Sequence, residues 1–313
     1  MNKLLIVCGP TASGKTTLSL KLAKKFKAEL ISADSRQIYK GMDIISGKDK
    51  QFFGKIPVWG LDLVSPDQDF SAGHWVSFVQ KNLKKIGKKG KLPIIVGGTG
   101  FWIKALINGI DSFGILPVWQ FREKLSNLAI EQLRQKLRKL NPERLRKMNK
   151  SDRNNPRRLI RAIEIAFYLG KTSLTNKPNK FNQANYDILI IGLKAPNKYL
   201  YGKIDKRVDY RVKQGAQQEV EGLIKKGYSL KLPAMSAIGY QEWQPFFKTK
   251  QSLEETIQRW KYREHGYCRR QLTFFKKMEN IKWFAINQTR WQEKVVKLVE
   301  SWYYGKYTDD GKN

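Results

Sequence analysis

Short apolar runs recur along the chain, and stretches with helical spacing of apolar residues separate them. Continuous apolar runs of this length are typical of strands buried on both faces, and their alternation with helices indicates a mostly parallel sheet. The pattern therefore predicts an α/β fold. The predicted strands cover residues 4–8, 29–33, 58–64, 92–96, 187–193 and 282–286, and the predicted helices of this part of the chain cover residues 16–26, 199–226 and 253–278.

Residues 111–180 have a different pattern. They contain no convincing strand, and apolar residues recur at helical spacing in 119–140 and 155–169. This segment holds 17 Lys and Arg against 6 Asp and Glu, a net charge of +11. We therefore predict a basic helical domain at 111–180, inserted into a core made of residues 1–110 and 181–313.

Composition narrows the class of protein further. Apolar residues make up 41% of the 313 residues and charged residues 28%, which excludes a disordered chain. The net charge of +33 favours polyanionic partners such as nucleic acid, anionic lipid or phosphorylated substrates, although a lysine-rich proteome would also produce it. Two distant cysteines, no signal-like N-terminus and no run long enough for a bilayer predict a soluble, cytoplasmic protein without a membrane partner. We take a monomer as the default.

Residues 9–16 carry the strongest local signal, the G-x-x-x-x-G-K-[ST] pattern between a predicted strand and a predicted helix. Backbone N–H groups at such a helix N-terminus bind phosphate oxygens together with the lysine, and the hydroxyl that follows binds Mg²⁺. The pattern predicts a P-loop nucleoside-triphosphatase-like core that binds ATP or another diphosphate. Its residues are Gly9, Pro10, Thr11, Ala12, Ser13, Gly14, Lys15 and Thr16.

Asp34 closes the second apolar run, and ligands of open α/β sheets lie beyond the carboxyl ends of the strands. We therefore expect its carboxylate close to the phosphate loop. On position alone it is a magnesium ligand, a general base for an acceptor, or the N-cap of a following helix.

Eight segments closely resemble the tRNA dimethylallyltransferase family, in its bacterial form because the zinc-finger tail of eukaryotic relatives is absent. They lie in the family's order and together cover most of the chain. The segment 93–105, for example, resembles the family's V-G-G-T-G-L-Y sequence, and 269–275 resembles K-R-Q-x-T-W-F. The full set is residues 9–16, 31–44, 61–67, 93–105, 155–164, 207–209, 237–242 and 269–275.

The resemblance implies that dimethylallyl diphosphate donates its prenyl group to N6 of the adenine immediately 3′ of the anticodon. An exocyclic adenine amine is a poor nucleophile, and the implied base for it is Asp34. Charge on the departing diphosphate would be stabilised by the loop amides, Lys15, Thr16 with Mg²⁺, Thr99 and Arg207.

The resemblance also implies contacts to the tRNA anticodon stem-loop, whose target base must leave its stack. Ser35 and Gln37 would hydrogen-bond the extruded adenine. Arg36, where the family usually has an apolar residue, contacts a phosphate or points into solvent. Basic and aromatic side chains together suit single-stranded loops. The expected tRNA-binding residues are Asp34, Ser35, Arg36, Gln37, Thr99, Arg122, Arg157, Arg158, Arg161, Gly239, Tyr240, Arg269, Arg270 and Gln271.

Three other functions share part of this pattern. A small-molecule P-loop kinase would use the same loop but would need ATP, and it would not need the basic insertion. An adenylate isopentenyltransferase would share the donor site and differ only in its acceptor, a free nucleotide. A non-catalytic RNA-binding protein would not need Lys15, Thr16, Asp34 and Thr99 intact.

Overall fold

The computed structural model describes residues 1–109, 115, 118–171, 185–248 and 250–305. The chain forms two compact units. The first, which we call the core unit, consists of Met1–Ile107 and Phe181–Asn313. The second, the inserted unit, consists of Asn108–Lys180.

The core unit contains a six-stranded sheet in which every pairing of the described strands is parallel. The strand order is β3-β2-β4-β1-β5-β6. This confirms the predicted α/β class, and five of the six predicted runs match a strand to within two residues. The strands are β1 (Asn2–Cys8), β2 (Ala28–Ser32), β3 (Val58–Trp59), β4 (Leu92–Gly97), β5 (Tyr186–Lys194) and β6 (Ile281–Ala285).

The third run is the exception, because the strand predicted over 58–64 has only two residues. Gly60 follows Trp59 with φ +89°, and Asp62 has φ +53°, so the backbone leaves the extended conformation at once. The apolar residues that continue the run lie in a turn, where only Val64 forms an isolated bridge, to Tyr39. Composition alone does not reveal such a change of backbone direction.

Helices occupy most of the remaining described chain. None of them is both long enough and apolar enough to cross a membrane. The helices are α1 (Lys15–Lys25), α2 (Ala72–Lys88), α3 (Gly100–Asn108), α4 (Trp119–Ser126), α5 (Ile130–Leu140), α6 (Pro142–Lys147), α7 (Lys150–Arg153), α8 (Pro156–Lys171), α9 (Asn197–Lys213), α10 (Ala216–Lys225), α11 (Trp243–Phe247), α12 (Leu253–Phe275) and α13 (Trp291–Tyr303).

Two predicted helices are interrupted. The helix predicted over 199–226 is two helices, α9 and α10, because Gly215 between them has φ +100°, a conformation that ends a helix. The helix predicted over 119–140 is likewise α4 and α5, since Ala129 is extended and precedes the start of α5. Apolar spacing alone hides both breaks, because it continues on either side of them.

The inserted unit has a small apolar core of its own. Helices α5 and α8 supply most of it through Leu133, Leu137, Leu159 and Ile163, which are fully buried. The carboxylate of Glu164 is also buried beside this core. The described part of this unit is entirely helical or irregular, as its sequence pattern predicts.

The order of the central strands positions the candidate site. The strands β2, β4 and β1 are neighbours and parallel, so the segments that follow them meet at one edge of the sheet. The phosphate loop follows β1, Asp34 follows β2, and Gly98 follows β4.

Candidate active site

The phosphate loop leaves the N-terminus of α1 open to a ligand. Gly14 is the N-cap with φ +80°, no side chain caps the helix, and its first turn contains no acidic residue. The first N–H groups of a helix have no intrahelical partner, so here they are available to an anion. Gly9 is required by close packing, because a Cβ atom there would lie 2.6 Å from the carbonyl oxygen of Leu193.

Lys15 lies in this loop without a carboxylate partner among the described residues. Its Nζ donates a hydrogen bond to the carbonyl oxygen of Pro10 at 2.5 Å. Burial, together with the positive charge of Arg207, lowers the pKa of Lys15 to about 8, although the charge of Asp34 opposes both effects. A lysine in this state gains from an anionic ligand that restores its full charge.

Asp34 follows β2 in a tight turn. Its Oδ1 accepts a hydrogen bond from the backbone N–H of Arg36 at 2.9 Å. No helix begins directly after it, since residues 35–38 form turns, so the alternative of a helix N-cap is wrong. Thr99 fixes the turn, because its Oγ1 accepts from the N–H of Ser35 at 3.0 Å and its own N–H donates to the oxygen of Ala33.

These groups surround a cavity of about 370 Å³ in the core unit. Its polar lining includes Lys15, Thr16, Asp34 and Arg207. Thr99 is not in the lining, so its hydroxyl contributes by holding Ser35 and the turn around Asp34. The apolar lining of the same cavity is formed by Leu30, Phe53, Val58 and Val96.

Two distant helices reach the phosphate loop. Arg207 on α9 donates from Nη1 to the Oγ1 of Thr11 at 2.8 Å. Gln271 on α12 accepts from the N–H of Thr11 at 2.8 Å and donates to the oxygen of Gly98 at 2.9 Å. The amide of Gln271 is buried and ties two loops together at the cavity, and its expected contact with RNA stays a prediction.

Tyr267 is a cavity residue that the sequence indicates only as an aromatic neighbour of Arg269 and Arg270 and does not place beside the phosphate loop. It lines the cavity beside Asp34 and Gln271. Burial raises the pKa of its phenol, and the charge of Asp34 raises it further, so the phenol stays protonated. Its spacing of four residues from Gln271 on α12 was the available signal, since such residues share a helix face.

Two other residues expected to contact the RNA form hydrogen bonds to other groups of the protein. Gln37 lines the cavity, but its amide accepts from the hydroxyl of Ser32 and donates to the oxygen of Gly47, both at 2.8 Å. Arg36 is partly exposed, and its Nη1 donates to the oxygen of Pro233 at 2.9 Å, so its expected contact with a phosphate stays a prediction.

Tyr240 is fully buried and donates its hydroxyl to Glu219 at 2.6 Å. Gly239 beside it has φ +95°, and a Cβ atom there would overlap the side chains of Ile45 and Trp260. The expectation of RNA contacts from this pair is therefore wrong for the Tyr240 side chain, which belongs to the core.

Arg269 and Arg270 are exposed on α12, as a nucleic-acid contact requires. Arg269 donates to the hydroxyl of Tyr201 at 3.0 Å, and the guanidinium of Arg270 lies 5.8 Å from the ring centroid of Tyr267. Basic and aromatic side chains thus lie together on this helix, and their contact with RNA stays a prediction.

The arginines of the inserted unit divide into paired and unpaired ones. Arg122 contacts Glu164 through two nitrogens, at 3.1 and 2.8 Å, and Arg161 contacts the same carboxylate and the oxygen of Ile115. Arg158 pairs with Asp152. Arg157 is exposed and has no ion pair among the described residues. Of the four expected RNA contacts in this unit, Arg157 alone is without a carboxylate partner within the described chain.

A parallel α/β sheet with this loop after its first strand defines a P-loop protein. Comparison with known proteins identifies the family within this class. Residues 37–278 match the family described as IPP transferase, and residues 2–53 match Isopentenyl transferase. A tRNA dimethylallyltransferase of Acetivibrio thermocellus is 36% identical over 307 residues, covering 97% of each chain. One of Bacillus cereus is 35% identical over 300 residues, covering 95% of this chain and 94% of its own.

Solved structures agree with this. The tRNA isopentenylpyrophosphate transferase of Bacillus halodurans superposes with a TM-score of 0.72 at 30% identity, covering 98% of both chains. A eukaryotic dimethylallyltransferase acting on tRNA gives a TM-score of 0.84 at 25% identity, covering 99% of this chain and 82% of its own. The chain belongs to the IPP transferase family.

Proposed function

We propose that the protein transfers a dimethylallyl group from dimethylallyl diphosphate to N6 of the adenosine 3′-adjacent to the anticodon of tRNA, releasing diphosphate. The observation that carries the proposal is that a phosphate loop, a carboxylate and an apolar wall meet in one cavity of the core unit. The loop suits the diphosphate, and Leu30, Phe53, Val58 and Val96 suit a branched hydrocarbon chain that must be kept from water.

In this reaction a bond forms between adenine N6 and the first carbon of the prenyl group, while the bond from that carbon to the diphosphate oxygen breaks. The amine loses a proton, and Asp34 is the group placed to accept it. Its carboxylate lines the cavity, and its turn is held by Thr99 through Ser35. A base fixed in this way raises the nucleophilicity of an amine whose lone pair is delocalised.

The leaving diphosphate gains charge as the bond breaks. Lys15, Arg207 and the open N-terminus of α1 present donors to it in the cavity. Fixed donors of this kind lower the barrier because they need no reorganisation when the charge develops. Gln271 serves the site indirectly, since it holds Thr11 and Gly98 in place.

The donor set fits a magnesium ion that is bound mainly by the substrate. Mg²⁺ in phosphate sites is held by one or two protein ligands, several waters and phosphate oxygens. Thr16 offers one hydroxyl in the cavity, and no cluster of three or more His, Cys, Asp or Glu suited to a metal occurs in the described residues. Bound there, Mg²⁺ would neutralise charge on the diphosphate.

For the tRNA we propose that exposed arginines on both units contact the anticodon stem-loop, with a monomer as the functional form. Arg269 and Arg270 on α12 would meet the loop bases together with tyrosine rings. In the inserted unit, Arg157 is the strongest candidate because no carboxylate neutralises it within the described chain. Arg122 and Arg161 would act by shaping that surface, because both bind Glu164.

The test is prenyl transfer with purified protein, Mg²⁺, labelled dimethylallyl diphosphate and an anticodon stem-loop, with AMP and ATP in parallel reactions. We expect label in the stem-loop and none in a loop that lacks the target adenine. Asp34→Asn should lower the rate about 10²- to 10⁴-fold while diphosphate binding is kept. Label in AMP alone would assign the protein to a free-nucleotide transferase, and consumption of ATP without prenyl transfer would assign it to a kinase.

A further inference from the structure

One face of α9 carries three cations at intervals of four residues, namely Lys203, Arg207 and Arg211. Residues spaced in this way lie above one another on a helix. Lys203 and Arg207 line the cavity. Arg211 lies one turn further along, and only 4% of it is exposed to solvent.

Arg211 is a buried cation without a direct counter-charge. Its Nη2 has no hydrogen-bond partner in the described chain, and no carboxylate of that chain lies within ion-pair distance of its guanidinium. Burial, together with the charge of Arg207, lowers the pKa of Arg211 to about 10, and Glu264 and Asp49 offset this only in part and without a direct contact. Buried guanidinium groups are normally paired, so this one calls for an explanation.

Arg207 and Arg211 meet at Gly47, which lines the cavity. A Cβ atom on Gly47 would overlap the Nη2 atoms of both arginines, so the two guanidinium groups are close neighbours. The backbone at Gly47 is held in place, because its carbonyl oxygen accepts a hydrogen bond from the amide of Gln37 at 2.8 Å.

The segment before Gly47 is fixed as well. The carboxylate of Glu219 accepts from the backbone N–H groups of Asp43 and Ile44, at 2.6 and 2.5 Å, and of Ile45, at 3.1 Å. It also accepts from the hydroxyl of Tyr240. A carboxylate with four donors is saturated, and it is therefore not the missing partner of Arg211.

We propose that Arg211 is a positioning residue of the diphosphate site and acts through Arg207. The inference rests on the proposed function, because it takes diphosphate to be the anion that the cavity binds. Two like charges held together raise the free energy of the empty site, and an anion beside Arg207 relieves that repulsion. The charge of Arg211 also keeps Arg207 on the side of Thr11 and the cavity, where its Nη1 is found.

A purely structural role for Arg211 makes the opposite prediction. If its guanidinium held the fold together, removing it would lower the melting temperature and leave the anion affinity per folded molecule unchanged. If it acts on Arg207, replacing it by an apolar side chain of similar length removes an unpaired buried charge. The fold then keeps or gains stability while the site loses affinity.

The experiment is titration of inorganic diphosphate with Mg²⁺ into the full chain and its variants, together with thermal unfolding of each. Arg211→Met should bind diphosphate about fivefold more weakly, as expected for the loss of one partly screened charge near the site. Arg211→Lys should stay within about twofold of the original, because it retains the charge. The melting temperature of Arg211→Met should not fall.

A double substitution tests the route through Arg207. In an Arg207→Gln background, Arg211→Met should change the diphosphate affinity by less than about twofold, because coupled residues are not additive. An equal loss in both backgrounds would overturn the inference, and so would unchanged affinity in the single variant. Should Arg211→Met fail to fold, Arg211→Gln takes its place, and a failure of both while Arg211→Lys folds would also overturn it.

The failure of the proposed function gives a different result. The protein could bind diphosphate and show the coupling between Arg207 and Arg211 but transfer no prenyl group to RNA. This result would contradict the proposed transferase reaction and support the inference about Arg211. If the protein transfers the prenyl group but Arg211→Met binds diphosphate normally, the transferase function is supported and the inference about Arg211 is overturned.

Discussion

The cations of the cavity and the arginines of the inserted unit look alike in the sequence but differ in their surroundings. Lys15, Arg207 and Arg211 share one region of the core unit, and none has an ion pair within the described residues. In the inserted unit, Arg122 and Arg161 converge on the buried carboxylate of Glu164.

This difference shows how a basic sequence should be interpreted. Burial acts against the charge of Glu164, but hydrogen bonds from Arg122, the N–H of Val118 and Arg161 outweigh it, so the pKa of the carboxyl is lowered and the group is ionised. The two arginines therefore stabilise helices more than they attract RNA. A net charge of +11 in residues 111–180 therefore does not show which arginines are available to a polyanion, because that depends on such pairs.

The largest expected effect tests the structural side of this comparison. Glu164→Ala leaves two arginines facing each other without a carboxylate, and breaking a buried pair in this way costs about 3–5 kcal/mol. Hydrogen exchange of the α8 amides in the full chain should accelerate accordingly. The stabilisation by Glu164 is present above the pKa of an unfolded glutamate and disappears as the pH falls through its lowered folded value.

The matched control is Glu143→Ala in the same unit. Glu143 pairs with Lys147, but both side chains are more than 60% exposed, at 64% and 69%. Exposed pairs contribute little to stability, so hydrogen exchange in α8 should stay unchanged. If the two variants behaved alike, Glu164 would not organise the unit.

The second largest expected effect tests the cations of the cavity. Lys15→Ala removes a donor from the developing diphosphate charge, and the loss of one such donor lowers the rate about 10²- to 10³-fold. The measurement is kcat/KM for the prenyl donor at saturating stem-loop. Lys21→Ala is the control, because Lys21 is exposed on the same helix and lies outside the cavity lining. Equal losses in both variants would mean that general positive charge, rather than this position, is responsible.

The same contrast explains how much the sequence predicts. The strands of the sheet and the phosphate loop depend on local pattern, so five strands, the loop and the position of Asp34 could be predicted. The third strand could not, because its end depends on the positive φ of Gly60 and Asp62 rather than on hydrophobicity.

Partners across the fold could not be predicted either. Gln271 and Tyr240 have the residue types of an RNA contact, yet Gln271 holds Thr11 and Gly98, and Tyr240 lies in the core. Nothing in the sequence pattern indicates a role for Arg211, since only the approach of α9 to Gly47 brings its charge next to Arg207. Long-range packing decides whether a polar side chain binds a ligand or holds other protein groups in place. The pattern of a single sequence does not reveal these long-range contacts.

A third effect sharpens the comparison within the inserted unit. Arg157 and Arg158 are adjacent and both exposed, but Arg158 pairs with Asp152. We expect Arg157→Gln to weaken stem-loop binding about fivefold to tenfold and to reduce the salt dependence of the binding constant by about one phosphate contact. Arg158→Gln should have a smaller effect on both. The opposite ranking, from titrations at several salt concentrations, would show that pairing with Asp152 does not decide which arginine meets the RNA.

The smallest effect concerns the protonation of Lys15. Its pKa in the free protein is lowered from 10.5 to about 8, so the charge that a diphosphate needs is lost above that pH. If only the protonated form binds well, the affinity for inorganic diphosphate should fall about fourfold between pH 7 and pH 8.5. Stability should change in the opposite direction. Between about pH 8 and pH 10.5 the unfolded chain holds the proton more tightly than the folded one, so the free energy of unfolding rises with pH.

Titrations of the free protein and of Lys15→Gln across this range separate the lysine from the ligand, because diphosphate also titrates. The variant should bind more weakly and keep only the pH dependence of diphosphate itself. A profile with the same slope in both proteins would show that Lys15 keeps its charge up to higher pH. The cavity cations would then be neutralised as effectively as those of the inserted unit, and the contrast between the two regions would lose its electrostatic basis.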